Sequence, residues 1–173
     1  MRAFVWIAMI ASLAGAQTAL ASNAALADFF GQWVGSGAAK VDGAETQSRD
    51  TDVEISKAQD GFKISWSTMR TEKDDQSQSV VKATSLTFRG TAKPTVFHGA
   101  DSGDPTKGKK AVWAVITGKT LKISQFMLSD EGKWTMQVYE RTLTTATDMD
   151  SKFTRFEDGK IARQAELKLK KAP

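Results

Sequence analysis

Tyr139-x-Arg141 sets a phenol and a guanidinium two residues apart, which on a β-strand is one face. A guanidinium that faces a protein interior needs an anionic partner, because an unpaired charge is costly to bury. An acidic head group would serve, with the phenol as a second contact. Arg163 alternates with Ile161, Ala165, Leu167 and Leu169, so it is a second cation on an apolar face. Trp66, Trp113 and Trp134 are candidates for an aromatic wall around ligand hydrocarbon. Together these residues point to a site for a small apolar or amphipathic ligand, its polar head fixed by Arg141, Arg163 or Tyr139. The alternative placement turns Tyr139 and Arg141 outward into solvent and leaves the tryptophans as ordinary core.

Other chemistry is poorly supplied. The chain has one histidine, His98, and no cysteine. A Cys/His catalytic pair, a thiolate metal site, a disulfide framework and a His-rich zinc site are therefore excluded. Gly103-x-x-x-x-Gly108-Lys109 has the spacing of a phosphate-binding loop, but Lys110 stands where Ser or Thr should hold magnesium. No apolar strand leads into it and no helical pattern follows. The acidic pairs Asp74-Asp75 and Asp148/Asp150 lack the spacing of a general acid and base or of a calcium loop. The reading is a binder rather than an enzyme, with no cofactor required.

The N-terminus sets the compartment. Arg2 precedes an apolar run from Ala3 to Gly15, and Ala19-Leu20-Ala21 fits a small-x-small cleavage site. Ala25-Leu26-Ala27 is a second cleavage candidate, so residues 1–21 read as a signal peptide whose end could fall as late as 27. The apolar core is short for a span of roughly 20 residues, and no later segment is long enough. A periplasmic protein is expected, with secretion to the medium as the alternative. The whole chain carries 24 basic and 20 acidic residues, and the signal holds one of the basic ones. So mild and interspersed an excess argues against a nucleic-acid partner. No stable membrane insertion is expected after signal removal.

These residues must be positioned by strands. The mature chain is a series of short alternating segments separated by turn residues, the pattern of an antiparallel sandwich or barrel. Strands are expected at 31–40, 49–57, 61–70, 79–89, 94–99, 110–117, 120–128, 134–143, 148–156 and 160–170, after a short helical turn around Ala24 to Phe30. The runs Thr71 to Ser79 and Gly99 to Lys109 read as loops. Asp130-Glu131-Gly132 and Glu157-Asp158-Gly159 read as three-residue hairpin loops closed by a left-handed glycine. The first pairs Leu128 with Trp134, Phe126 with Met136, Ser124 with Val138 and Lys122 with Glu140. Its other face then carries Leu121, Ile123, Gln125, Gln137, Tyr139 and Arg141. The second pairs Phe153 with Arg163, Ser151 with Ala165 and Met149 with Leu167, and sets Ile161 on the face of Arg163. The Thr117-Gly118-Lys119-Thr120 turn admits two loop lengths and leaves the face of Trp113 open.

Gly31-x-Trp33, at the start of the first strand, resembles the N-terminal motif of the lipocalins and their wider calycin relatives. The resemblance implies a single antiparallel up-and-down β-barrel of about eight to ten strands, spanning residues 28–171. It also implies that Trp33 plugs one end under a basic side chain from the last strand, for which Arg163 is the candidate. About ten strands suit the fatty-acid-binding or nitrobindin-like relatives better than the eight-stranded lipocalins. Tyr139 and Arg141 are similar in chemistry to the Arg and Tyr that hold a carboxylate inside fatty-acid-binding proteins, in reversed order along the strand. One relative of this fold class ligates haem iron through a lone histidine, which makes His98 the candidate for haem or tetrapyrrole binding. A further alternative is a barrel filled by its own side chains, acting as an envelope interaction module.

Overall fold

The computed structural model describes residues 26–41, 47–71 and 79–173. The expected signal peptide, with its first cleavage position, and the polar run at 72–78 lie outside the described residues. Ten strands follow one another: Gly31–Val41 (β1), Gln47–Ala58 (β2), Gly61–Thr71 (β3), Ser79–Gly90 (β4), Val96–Gly99 (β5), Ala111–Thr117 (β6), Thr120–Leu128 (β7), Trp134–Leu143 (β8), Asp148–Glu157 (β9) and Lys160–Lys171 (β10). Each pairs antiparallel with its neighbour in sequence, and β10 returns to pair with β1, closing a barrel. Closure leaves no sheet edge to aggregate. Side chains alternate between lumen and solvent along every strand.

One end is sealed. A short turn at 26–28 delivers Phe29 over the barrel floor, where Phe29 and Trp33 are both fully buried. The Trp33 indole Nε1 donates to the Phe29 carbonyl at 2.9 Å. The ammonium of Lys171 stands 5.2 Å from the Trp33 ring centroid, and Lys171 is the register partner of Trp33. The basic cover is thus Lys171 and not Arg163. Arg163 pairs with Val41, eight residues along β1, or about 26 Å at 3.3 Å per residue. Gly31 is required here twice over: its φ is +131°, and a Cβ would lie 2.7 Å from Lys171 Cε.

Above the plug the lower half of the barrel is packed solid. Phe62 stacks on Phe88 at 4.7 Å and meets Phe97 edge-on at 5.2 Å. Ile55, Ile64, Leu121, Ile123, Met149 and Leu169 fill the rest. These are the inward residues of their strands, and the apolar alternation in the sequence selects them.

The register explains the faces. The β7–β8 hairpin pairs Leu128 with Trp134 through Lys122 with Glu140, as read from its Asp130-Glu131-Gly132 loop. Lys122 Nζ and Glu140 Oε1 meet at 2.8 Å on the outer surface. The last hairpin departs from expectation. Its loop is the two residues Asp158-Gly159, with φ of 47° and 84°, a conformation in which glycine-containing pairs match the strand twist. A bulge between Ile161 and Arg163 then restores the face. Arg163 stands opposite Arg155, Ala165 opposite Phe153, and Leu169 opposite Met149. The bulge separates Ile161 from that face and leaves it outside, 51% exposed. The Gly118-Lys119 turn is also two residues long, which sets Trp113 opposite Ser124 on the outer face.

Candidate functional site

The upper half of the lumen differs in chemistry from the lower. On β8 the inward residues, from mouth to floor, are Gln137, Tyr139 and Arg141. Ser151, Phe153 and Arg155 face them from β9, and Leu167, Ala165 and Arg163 continue on β10. Trp66 reaches across from β3. Its ring lies 4.9 Å from Tyr139, which lies 4.8 Å from Phe153. Most of these side chains are half-buried, although they point inward, so this part of the lumen is open to water.

Arg141 forms the chamber floor. It is 2% exposed, and its Nε and Nη1 have no hydrogen-bond partner among the described residues. Its guanidinium carbon sits 5.2 Å from the Trp66 centroid and 5.8 Å from that of Tyr139. The aromatic faces offset part of the burial cost. Burial still pushes the Arg141 pKa down to about 10, against a small opposing effect of the nearby phenol. The Tyr139 hydroxyl donates to Gln137 Oε1 at 2.9 Å. Burial raises the Tyr139 pKa, and the positive charges of Arg141, Arg163 and Arg155 oppose that rise. Three guanidiniums therefore surround one phenol.

Two further lumen features bear on the charge. Arg155 Nη2 pairs with Glu157 Oε1 at 2.6 Å near the rim. Arg49, 6% exposed, faces inward from β2. Opposite it, β1 offers Gly37, where a Cβ would lie 2.0 Å from the Glu166 carbonyl oxygen. The close approach of β1 to β10 demands glycine there.

Of the residues chosen from sequence, Trp66, Tyr139 and Arg141 are brought together, and Arg163 lines the chamber above them. Trp113 and Trp134 are not in the lumen. Val112, Ala114 and Ile116 take the inward positions of β6, and the Trp134 ring packs on the outer face, 6.0 Å from Phe126. His98 is exposed on the outer face of β5, between the inward residues Phe97 and Gly99, so it cannot reach a lumen ligand. This removes the basis for haem ligation through His98. The Gly103 to Lys109 segment holds a single turn, Pro105–Lys107, capped by the Asp104 carboxylate. Sequence reasoning missed Arg49 as a lumen residue. Its signal was alternation with Thr51, Val53 and Ile55, an otherwise inward-facing series. Two outer concavities, of about 680 and 920 Å³, follow the curvature of the sheet. Serines and charged residues make up about half of their linings, which are formed mainly by outward-facing positions, Asp52, Glu54, Ser65 and Ser67 in one and Glu140, Thr142, Asp150 and Lys152 in the other.

No family model and no curated protein matches the chain. Solved structures do resemble it. The S-type phycobiliprotein lyase CpeS from Guillardia theta has a TM-score of 0.57 and 11% identity, over 88% of this chain and 93% of that one. A DUF3598-family protein of unknown function from Nostoc punctiforme gives 0.55 and 14%, over 85% of this chain and 49% of that one. Rv2717c from M. tuberculosis gives 0.53 and 12%, over 88% and 98%. At these identities the likeness is one of fold. The chain adopts a calycin-like, closed ten-stranded antiparallel barrel.

Proposed function

We propose that the chain is an exported binding protein that holds a small organic anion in the upper half of its barrel. One observation carries the reading: Arg141 is buried with two of its side-chain nitrogens, Nε and Nη1, unpartnered among the described residues. A charge held this way is destabilising in the empty protein. A site that accepts such a cost is a candidate for function. A carboxylate or phosphate oxygen on Arg141 would satisfy the donors, and Trp66, Tyr139 and Phe153 would pack the adjoining carbon skeleton.

Binding, rather than catalysis, is the reading because among the described residues the chamber joins no nucleophile to a base. One fold neighbour is named as a lyase. That name supports a lumen that receives a small molecule. Export rests on the sequence alone, on Arg2, the apolar run to Gly15 and the Ala19-Leu20-Ala21 pattern. Periplasmic or extracellular recovery of a chain beginning near residue 22 or 28 is the expected result of fractionation.

The test is native mass spectrometry of protein purified from its own compartment, followed by extraction. A discrete anionic molecule that is absent from an Arg141→Met preparation supports the reading. A clean apo mass, unchanged by a panel of organic acids, would overturn it.

A second reading has its own observation. On the outer face of β6 to β10, Trp113, Phe126, Trp134, Met136, Phe156 and Ile161 occupy neighbouring outward positions. Such a patch on a barrel exterior favours protein contact. Trp134→Glu would then change self-association or partner capture without altering ligand binding.

A further inference from the structure

This inference rests on the protein-contact reading of the outer patch and names the partner. The outer flanks of the barrel are unequal. On β2 and β3 the outward residues are mostly polar, among them Asp50, Asp52, Glu54, Lys63, Ser65 and Ser67. On β7 to β10 they form three rows, each crossing the four strands in register. The row nearest the mouth is Phe126, Met136, Phe156 and Ile161. The middle row is Ser124, Val138, Thr154 and Gln164. The row nearest the sealed end is Lys122, Glu140, Lys152 and Glu166. Ser124 and Thr154 are only 3% and 7% exposed although they sit on the outside. Their larger neighbours shield them, so the middle of this flank is already closed to water. The Trp134 ring extends the apolar part: it lies 6.0 Å from Phe126, and a Cβ on Gly159 would come within 3.9 Å of it. Aromatic and methionine side chains at the centre, with charges kept to a border, are the composition of a protein interface.

The charges select the partner. Across the strands the border row alternates Lys, Glu, Lys, Glu, with ion pairs of 2.8 Å for Lys122–Glu140 and 3.9 Å for Lys152–Glu166. A two-fold axis running along the strands between β8 and β9 sets this row against its own reverse. Lys122 then faces the partner's Glu166, and Glu140 faces the partner's Lys152. The same rotation sets Met136 against the partner's Phe156, and Phe126 against the partner's Ile161. A surface complementary to itself under one rotation is what an isologous dimer requires. We infer that this flank is the interface of a homodimer of the chain, with its two-fold axis between β8 and β9. Exposed ion pairs add little affinity, so the apolar rows hold the dimer and the charged row fixes its register. Four strands at about 4.8 Å spacing, and the stretch from Lys122 to Leu128 at about 3.3 Å per residue, measure about 19 by 20 Å. Accessible surface exceeds that projected area, and the two faces together bury on the order of 1,000 Å², the lower bound for a specific interface. A dissociation constant in the micromolar range is therefore expected.

The experiment is sedimentation equilibrium of the full mature chain from about 1 to 500 µM, a range that brackets such a constant. Wild type is expected to pass from monomer to dimer. Trp134→Glu, Glu140→Lys and Lys152→Glu should each weaken the dimer by about tenfold or more, the last two by placing like charges together across the axis. Mixing the two charge variants in equal amounts should restore a mixed dimer, because each then meets the opposite sign on its partner. Repulsion within one chain, between neighbours on β8 and β9, would persist in that mixture, so recovery reports the contact between chains. Asp52→Lys, on the polar flank, should leave the equilibrium unchanged, and circular dichroism melts verify that every variant is folded. A wild-type chain that stays monomeric throughout, or a mixture that does, would overturn this inference. If the monomer still captured a protein from its own compartment through Trp134, the broader protein-contact reading would stand. If Trp134→Glu changed neither self-association nor capture, both would fall.

Discussion

Replacing Arg141 by Met should make the empty protein more stable while removing the anion binding proposed above. Arg141 is 2% exposed, and its pKa falls to about 10 through burial. An unperturbed guanidinium holds its proton to well above that, and each pH unit is worth about 1.36 kcal/mol, so keeping the charge costs roughly 3 kcal/mol. The aromatic faces of Trp66 and Tyr139 return about 1–2 kcal/mol of that through cation–π contact, an effect already felt in the folded state. Methionine has a comparable reach, carries no charge and keeps the ring contacts. A net gain of about 1–2 kcal/mol in urea unfolding at neutral pH is expected, or a rise in Tm of several degrees. The sign with pH also follows. The folded pKa lies below the unfolded one, so the unfolded chain holds more protons from about pH 10 upward. Wild-type stability from this group rises across that window, and the variant lacks the rise. Added organic anion should then stabilise wild type and leave Arg141→Met unmoved. A loss of 1 kcal/mol or more in the variant would refute the reasoning, because it would mean that Arg141 is a structural hub with satisfied donors.

Other outcomes follow from the same geometry. Tyr139 is the only tyrosine in the chain, so phenolate absorbance reads it alone. It should titrate above the usual tyrosine value, and higher still in Arg141→Met, where a positive neighbour is lost. Because this acid is raised on folding, its contribution to stability should fall as pH climbs past about 10. Ligand quenching of tryptophan fluorescence should vanish in Trp66→Phe and persist in Trp113→Phe and Trp134→Phe, since only Trp66 faces the chamber. At the sealed end, Trp33→Ala should cost about 3–5 kcal/mol in chemical unfolding, and Lys171→Met about 1 kcal/mol. Gly31→Ala should cost about 1–3 kcal/mol, and Lys171→Ala should rescue only part of that, because the positive φ remains.

The strand pattern was legible because each strand obeys a local rule. All ten expected segments lie within about two residues of the observed ones, since period-two alternation and Gly-containing turns act over short range. The Leu128–Trp134 register followed from one left-handed glycine, Gly132. The last hairpin misled for a physical reason. The tight Asp158-Gly159 turn alone would have turned Phe153 away from Arg163, Ala165 and Leu167. A bulge at Ala162, which no residue type announces, cancels that inversion. The burial requirement was right about the shared face, while the loop length and the partners were wrong.

The site was harder to read because its selection is not local. Trp66 and Trp113 stand in similar alternating strands, and nothing within either strand says which ring faces the lumen. Closure decides that, by bringing β3 opposite β8 so that Trp66 meets Tyr139. The basic cover of Trp33 illustrates the same limit. Arg163 looked right among its apolar neighbours, but the antiparallel pairing of β1 with β10 carries Lys171 to the plug and Arg163 toward the mouth. The division of labour that results is physical. Aromatic and aliphatic side chains at the sealed end supply stability that needs no ligand. That surplus lets the lumen hold Arg141, whose Nε and Nη1 have no hydrogen-bond partner among the described residues. A barrel built only for stability would place leucine where Arg141 stands, and the cost of that guanidinium is the strongest mark of function in the chain.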